Sequence, residues 1–283
     1  MIILDFSYSL HYNVHKLDKL GEDLTKENFR IGLLNSLLTF VKKFKFDYGT
    51  DIVVALDGNS WRRGAFTHYK FKRKEQRKKD KHDWKEIHNF FDEIIDEFKE
   101  VLPYKFLRLE GAEGDDIVAV LARYTKEKVI IIGSDKDYMQ LQLDDNVYQY
   151  CPMKDDFLSE EKKDIPFILF HHIMKGDSSD GIPSVINPSN CFFEGVRQKP
   201  LTEIYIAECF EEAKKNNLET FLGEEKYKRF KENKNLIDFR CIPEELQNRI
   251  IESFENYGDI KNDMYKYIAE KNIPQFFDEI NNF

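Results

Sequence analysis

Acidic residues follow four short apolar runs in this chain. Ile2-Ile3-Leu4 ends in Asp5, and Ile52-Val53-Val54-Ala55-Leu56 ends in Asp57. Phe106-Leu107-Arg108-Leu109 leads into Glu113-Gly114-Asp115-Asp116. Val129-Ile130-Ile131-Ile132-Gly133 leads into Asp135-Lys136-Asp137, and Asp177-Ser178-Ser179-Asp180 lies further on. A single Asp after a strand more often opens a turn or caps the next helix. The weight lies in the repetition at every strand exit. That many like charges aimed at one place cannot all stay ionised without cations. Hard divalent ions such as Mg²⁺ are the expected occupants. The chemistry they imply is two-metal phosphodiester hydrolysis.

The elements that aim these acids are legible from the same runs. Short β-branched runs without alternation suit strands buried on both faces of a parallel sheet. In such sheets the site lies beyond the carboxyl ends of the strands. A polar stretch follows the first strand, and then a helix is expected near residues 27–46 from Ile31, Leu34, Leu37, Leu38 and Val41. Ile87, Phe90, Phe91, Ile94, Ile95 and Phe98 mark another helix, which Pro103 stops. Ile117, Val118, Val120, Leu121 and Tyr124 place a helix behind the Glu-Gly-Asp-Asp turn. Its dipole favours Asp115 and Asp116 in the first turn, which is their structural reading. A short helix after Asp137 and a strand over residues 147–150 complete an α/β domain. From about residue 164 the pattern turns helical, and the domain boundary falls near residue 160.

Composition bounds the rest. The 283 residues suffice for one large domain or two modest ones. No apolar stretch approaches the roughly 20 residues needed to span a bilayer. No basic leader precedes the first strand, so a cytoplasmic location and no membrane association are expected. Cys151, Cys191, Cys209 and Cys241 are far apart and show no zinc spacing, so they read as reduced packing residues. No Walker-type loop is present, and no use of ATP is expected.

The net charge of −9 speaks against a nucleic-acid partner, but its distribution does not. Arg62, Arg63, Lys70, Lys72, Arg73, Lys74, Arg77, Lys78, Lys79 and Lys81 are opposed within that stretch by Glu75 and Asp80. Trp61, Phe66, His68, Tyr69 and Phe71 interleave with them. The stretch reads either as a solvated helix face or as a surface that attracts phosphate and stacks unpaired bases.

In their order, these motifs resemble the flap endonuclease / 5′-3′ exonuclease superfamily, and within it the ribonuclease H group of T-even phages. The series is Asp5, Asp57 with Trp61-Arg62-Arg63, Glu113-Gly114-Asp115-Asp116, Gly133-Ser134-Asp135-Lys136-Asp137, and Lys175-Gly176-Asp177-Ser178-Ser179-Asp180-Gly181-Ile182-Pro183. Tyr227-Lys228-Arg229-Phe230-Lys231-Glu232-Asn233 carries the likeness outside the acidic motifs.

The resemblance implies a PIN-like, mostly parallel central sheet flanked by helices, with a basic arch insertion at about residues 62–85. It implies a nuclease domain over residues 1–160 and a helical C-terminal domain over 161–283 for duplex and partner binding. It also implies two Mg²⁺ ions, with Mn²⁺ as a substitute. Asp5, Asp57, Glu113, Asp115 and Asp135 would surround the first ion. Asp137, Asp177 and Asp180 would face the second, some through water, with Asp116 either a ligand itself or just behind the ligands. Arg62 and Lys70 match the basic pair at the scissile phosphate. The basic residues from Arg63 to Lys81 would guide a single-stranded 5′ end.

One departure stands out, because Val185-Ile186-Asn187-Pro188 replaces the Gly-x-Gly loop that binds duplex backbone in many members. Ser184, Arg197 and Lys199 are the candidates for duplex contact. The implied activity is removal of RNA primers and 5′ flaps in DNA replication. Its substrates would be branched or nicked DNA and RNA–DNA hybrids with 5′ ends. A monomer is implied, with a single-stranded DNA-binding protein as partner of the C-terminal domain. The rival readings are a PIN-type ribonuclease for single-stranded RNA, a non-catalytic nucleic-acid binder and a small-substrate phosphatase. The long basic insertion and the full set of acids stand against them.

Overall fold

The computed structural model describes residues 1–73, 80–258 and 262–283. By packing, the chain divides into two compact units. One comprises residues 1–59, 82–159 and 245–283, and the other residues 60–81 and 160–244. A single cut near residue 160 thus does not describe the packing, since the C-terminal residues return to the first unit.

In the first unit, six strands form one sheet in the order β3-β2-β1-β4-β5-β6. These are β1 (Ile2–Asp5), β2 (Ile52–Ala55), β3 (Lys105–Leu107), β4 (Val129–Ile132), β5 (Val147–Cys151) and β6 (Asp156–Leu158). All neighbours run parallel except β5 and β6. β1 is central, with Ile2 opposite both Ile52 and Ile130. The strand order reverses at β1, which is where an open α/β sheet leaves a crevice.

Period-two alternation sorts the core into two faces. Ile2, Leu4, Ile52, Val54, Ile130 and Ile132 pack with α1 (Ser7–Leu20), α2 (Lys26–Tyr48) and the helix Trp84–Lys99. Ile3, Val53 and Ile131 are equally buried and point the other way, and the helix Gly114–Tyr124 packs on β1, β2 and β4. Helix α1 occupies the stretch expected to be merely polar. Leu10, Val14 and Leu17 are buried at helical spacing, and buried Asn13 bonds Ser9 O and Ser36 Oγ.

The C-terminal residues complete this unit. Met264, Tyr267, Ile268, Ile273 and Phe276 belong to the same core as α2 and the helix Trp84–Lys99. An ionic cluster ties them in. Glu97 accepts from Arg30 (3.0 Å), Tyr267 (2.7 Å) and Lys271 (3.0 Å). Edge strand β3 is covered too, because its Phe106 N–H donates to Tyr257 OH at 3.0 Å and Lys105 lies over the Phe254 ring. Covering an edge removes a template for unwanted pairing.

The second unit is helical and built around Ile165–Lys175, Glu203–Lys214, Leu218–Leu222 and Glu224–Ile237. Phe66 and Tyr69 from the basic insertion join its core with Phe170, Ile173, Met174, Ile206 and Phe230. Among the described residues, no helix is long and apolar enough to cross a membrane.

Candidate metal centre and nucleic-acid interface

Strand order brings the acids of the first unit to one end of the sheet. Asp5 ends the central strand, and Asp57 and Asp135 follow its two neighbours β2 and β4. Burial first, and then the charges of Asp57 and Asp135, push the Asp5 carboxyl up to about 7. Gly114, at the start of its helix, closes this group. A Cβ there would lie 3.3 Å from Asp57 Oδ1 and 3.7 Å from Asp5 Oδ1. The Gly114 N–H donates to Asp57 Oδ1 at 2.8 Å. Asp116 is fully buried and accepts from the Glu113 N–H at 3.0 Å in a capping box. Asp135 caps the 3-10 helix Lys136–Leu143 through the Asp137 N–H at 2.9 Å.

Three residues that sequence reading missed hold this group in place. Tyr138 is fully buried, and its OH donates to Asp5 Oδ2 at 2.8 Å. Burial and the charges of Asp5, Asp115 and Asp135 push its phenol far up, so it remains a donor. Gly133 makes room for that ring, since a Cβ there would lie 2.8 Å from Tyr138 Cε2. Gln149 on β5 is 0 % exposed, and its Nε2 donates to Gly133 O (3.1 Å) and Asp135 O (2.6 Å). Its Oε1 accepts from Gln142 Nε2 at 3.3 Å, and that amide also bonds Leu158 O. The signal in the sequence was a glutamine inside the otherwise apolar run Val147–Cys151.

The donor set is hard carboxylate oxygen in a place that raises the pKa of its central acid, and this fits a divalent cation. Among the described residues, no three His, Cys, Asp or Glu form a ready-made ligand cage. Mg²⁺ does not need one, because it keeps several waters and takes one or two carboxylates plus substrate phosphates.

In the second unit, Asp180 is the hub. It pairs with Arg73 at 2.5 Å, accepts from Tyr69 OH at 3.1 Å and lies 3.9 Å from Lys70 Nζ. Lys70 has φ 55° and donates its N–H to Asp180 O at 2.7 Å. Burial alone would raise Asp177, but the side chains of His172 and Ser179 and the N–H groups of Ser179 and Asp180 hold it well below the usual carboxylate range. Arg62 is only 3 % exposed and donates from Nε to Leu236 O at 2.8 Å. Ser184 is also buried, with its hydroxyl accepting from Asn187 at 2.6 Å. Arg63, Arg73, Lys81, Arg197 and Lys199 are exposed and Lys72 is half-buried. Lys74, Arg77, Lys78 and Lys79 lie outside the described residues.

Comparison with known proteins matches two family models to this chain. One is the 5′-3′ exonuclease N-terminal resolvase-like domain over residues 1–165, and the other is the T4 RNase H C-terminal region over residues 165–283. Ribonuclease H of Enterobacteria phage T4 is 30 % identical over 260 residues, covering 89 % of this chain and 85 % of that protein. The D15 protein of phage T5, crystallised with metal ions, superposes with a TM-score of 0.59 at 16 % identity, over 91 % of this chain and 99 % of that one. The catalytic core of Rad2 in complex with a DNA substrate gives 0.50 at 13 % identity, over 99 % and 90 %. The last two likenesses establish the shared fold.

Proposed function

Because the chain belongs to the 5′-3′ exonuclease family, as a divalent-metal-dependent nuclease of the exonuclease and flap endonuclease type, we propose that it uses two Mg²⁺ ions to trim RNA primers and 5′ flaps. The observation that carries this reading is the position of Asp5 on the central strand between the strands that lead to Asp57 and Asp135. Asp5, Asp57, Glu113, Asp115 and Asp135 would hold the first ion, and Mn²⁺ would substitute for Mg²⁺. A bound ion lowers the pKa of a water and neutralises the scissile phosphate. Tyr138 fixes the rotamer of Asp5, and the N–H groups of Gly114 and Asp137 fix Asp57 and Asp135. Asp116 supports the turn by capping its helix. Roles for Asp137, Asp177 and Asp180 at a second ion rest on motif order.

Lys70 is the cation assigned to the charge that grows on the phosphoryl oxygens. Arg62 anchors the base of the basic segment through Leu236. Arg63, Lys72, Arg73, Lys81, Arg197 and Lys199, with Lys74, Arg77, Lys78 and Lys79, supply contacts to the nucleic-acid backbone. Ser184 acts through Asn187. Branched DNA and RNA–DNA hybrids with 5′ ends are the substrates, and a single-stranded DNA-binding protein is the partner by resemblance.

The test sets a 5′-labelled RNA–DNA hybrid beside a 5′-flap duplex, each with Mg²⁺ or EDTA. Cleavage of either in Mg²⁺ alone, abolished by Asp135→Asn in a folded protein, is the expected result. Cleavage in EDTA, or full activity of that variant, overturns the metal assignment.

A further inference from the structure

The irregular stretch that follows Val185-Ile186-Asn187-Pro188 carries two adjacent aromatics, exposed Phe193 and half-buried Phe192. Its base is fixed. Asn187, 6 % exposed, donates to Ser184 Oγ and Lys199 O (3.2 Å) and accepts from the Lys199 N–H at 2.9 Å. The Ser184 N–H donates to Gln198 Oε1 at 3.0 Å, and Cys191 is buried at 1 % exposure. From this frame Phe193 stands 53 % exposed. One of its faces stacks on His68, with ring centroids 4.9 Å apart and planes at 29°. Phe71 meets it edge-on at 4.9 Å. Lys72 Nζ lies 3.9 Å from the Phe192 ring centroid.

A lone exposed ring is ordinary, whereas one joined to neighbouring rings in a patch marks an interaction surface. Here it is supported from behind by a ring rather than buried. We propose that Phe193, backed by His68 and Phe71, is a stacking platform for one unpaired nucleobase of a single-stranded nucleic acid. The remaining face of a supported ring suits a π-surface, and every base has one. Charge selects a nucleic acid over an apolar protein segment. Arg63, Lys72, Arg197 and Lys199 make no ion pair among the described residues, so they are available to phosphates. His68 also lines a cleft of about 380 Å³ with Lys228 and Arg229, although Glu225 and Glu232 share it. A base inside a duplex is stacked on both faces and offers none to Phe193. The platform therefore reads unpaired bases. This deepens the nuclease reading and rests on it.

The test measures binding of short single-stranded oligonucleotides containing 2-aminopurine, in EDTA so that no cleavage occurs. The probes are compared with a blunt duplex of the same length. Stacking is worth roughly 1–3 kcal/mol per base, so Phe193→Ala should weaken single-strand binding about 5- to 150-fold. It should also remove quenching of the 2-aminopurine, while Phe193→Trp restores both. Unchanged single-strand affinity in Phe193→Ala, or an equal loss on the blunt duplex, overturns the platform. Failure of the wild-type protein to bind single strands does so too. Mg²⁺-dependent cleavage by the wild type is scored separately, so failure of the nuclease reading is told apart from failure of the platform.

Discussion

Gln149→Leu removes an amide while keeping most of the side-chain volume, and its cost follows from the bonds it breaks. Two carbonyls, Gly133 O and Asp135 O, lose their donor, and Gln142 loses an acceptor. A buried group left unsatisfied costs about 1–3 kcal/mol. Gly133 is buried whereas Asp135 is exposed and rehydrates, so the sum is about 2–4 kcal/mol. For a unit of this size that lowers Tm by on the order of 10 °C. The second consequence is chemical. The same amide fixes the turn that carries Asp135, and loss of a group that orients a metal ligand typically costs 10- to 100-fold in metal affinity. Calorimetric titration with Mn²⁺ measures that affinity without reference to catalysis. Single-turnover cleavage across Mg²⁺ concentrations should show a rate that excess metal restores. Gln142→Leu, which loses a 3.3 Å bond to Gln149 and one to Leu158 O, should show a smaller effect. A Gln149→Leu protein with lowered Tm and wild-type metal affinity would show that the amide supports the sheet alone, and the assignment of a positioning role would fall.

Three further outcomes are expected. Gly133→Ala should displace the Tyr138 ring and cost about 1–3 kcal/mol, and Tyr138→Leu in the same chain should recover part of that. Additive losses in thermal melts of the two single variants and the double would mean that the ring does not feel the new methyl. Burial alone would raise Glu97, yet Arg30, Tyr267 and Lys271 hold it down to about 2. A depressed carboxylate stabilises the fold above its unfolded pKa near 4.5, and that stability is lost as pH falls toward 2. Denaturant curves should therefore find Glu97→Gln weaker by about 1–2 kcal/mol at pH 7, after allowance for screening, with the gap closing below pH 4. A gap independent of pH would mean that the cluster does not act through charge. Lys70→Ala should lower the saturated single-turnover rate about 10- to 1,000-fold with far less effect on binding, and equal effects on both would make Lys70 a general contact.

The strands and their acids were legible because a run such as Ile2–Leu4 has no polar face and stops at a charge. Helix α1 was not, because its buried stripe includes the polar Ser9 and Asn13, and the Asn13 amide is satisfied by Ser9 O and Ser36 Oγ rather than by apolar contacts. Nor was the allegiance of residues 264–276. Their apolar spacing announces a helix but not which core receives it, and the deciding contacts, Glu97 with Tyr267 and Lys271, join residues at least 170 positions apart. In the basic insertion, the cations were visible. The left-handed backbone at Lys70 and the burial of Arg62 against Leu236 were not, since both are set by long-range partners.

The structural reading of the acids and the proposed metal-binding one looked like alternatives, but the hydrogen bonds are compatible with both. An ionised carboxylate has two oxygens and about four acceptor positions. Asp57 commits Oδ1 to the Gly114 N–H, Asp135 commits Oδ1 to the Asp137 N–H, and Asp5 commits Oδ2 to Tyr138. Each bond fixes a rotamer that a solvated Asp would otherwise sample, and leaves acceptor capacity on the same group. If these carboxylates hold the proposed ion, a cap of this kind would place each ligand before the ion arrives and lower the ordering cost of binding. On the proposed reading, the habit of placing Asp at strand exits and helix starts would be the route by which a parallel sheet assembles a metal site, because both features converge at the strand ends where the order reverses.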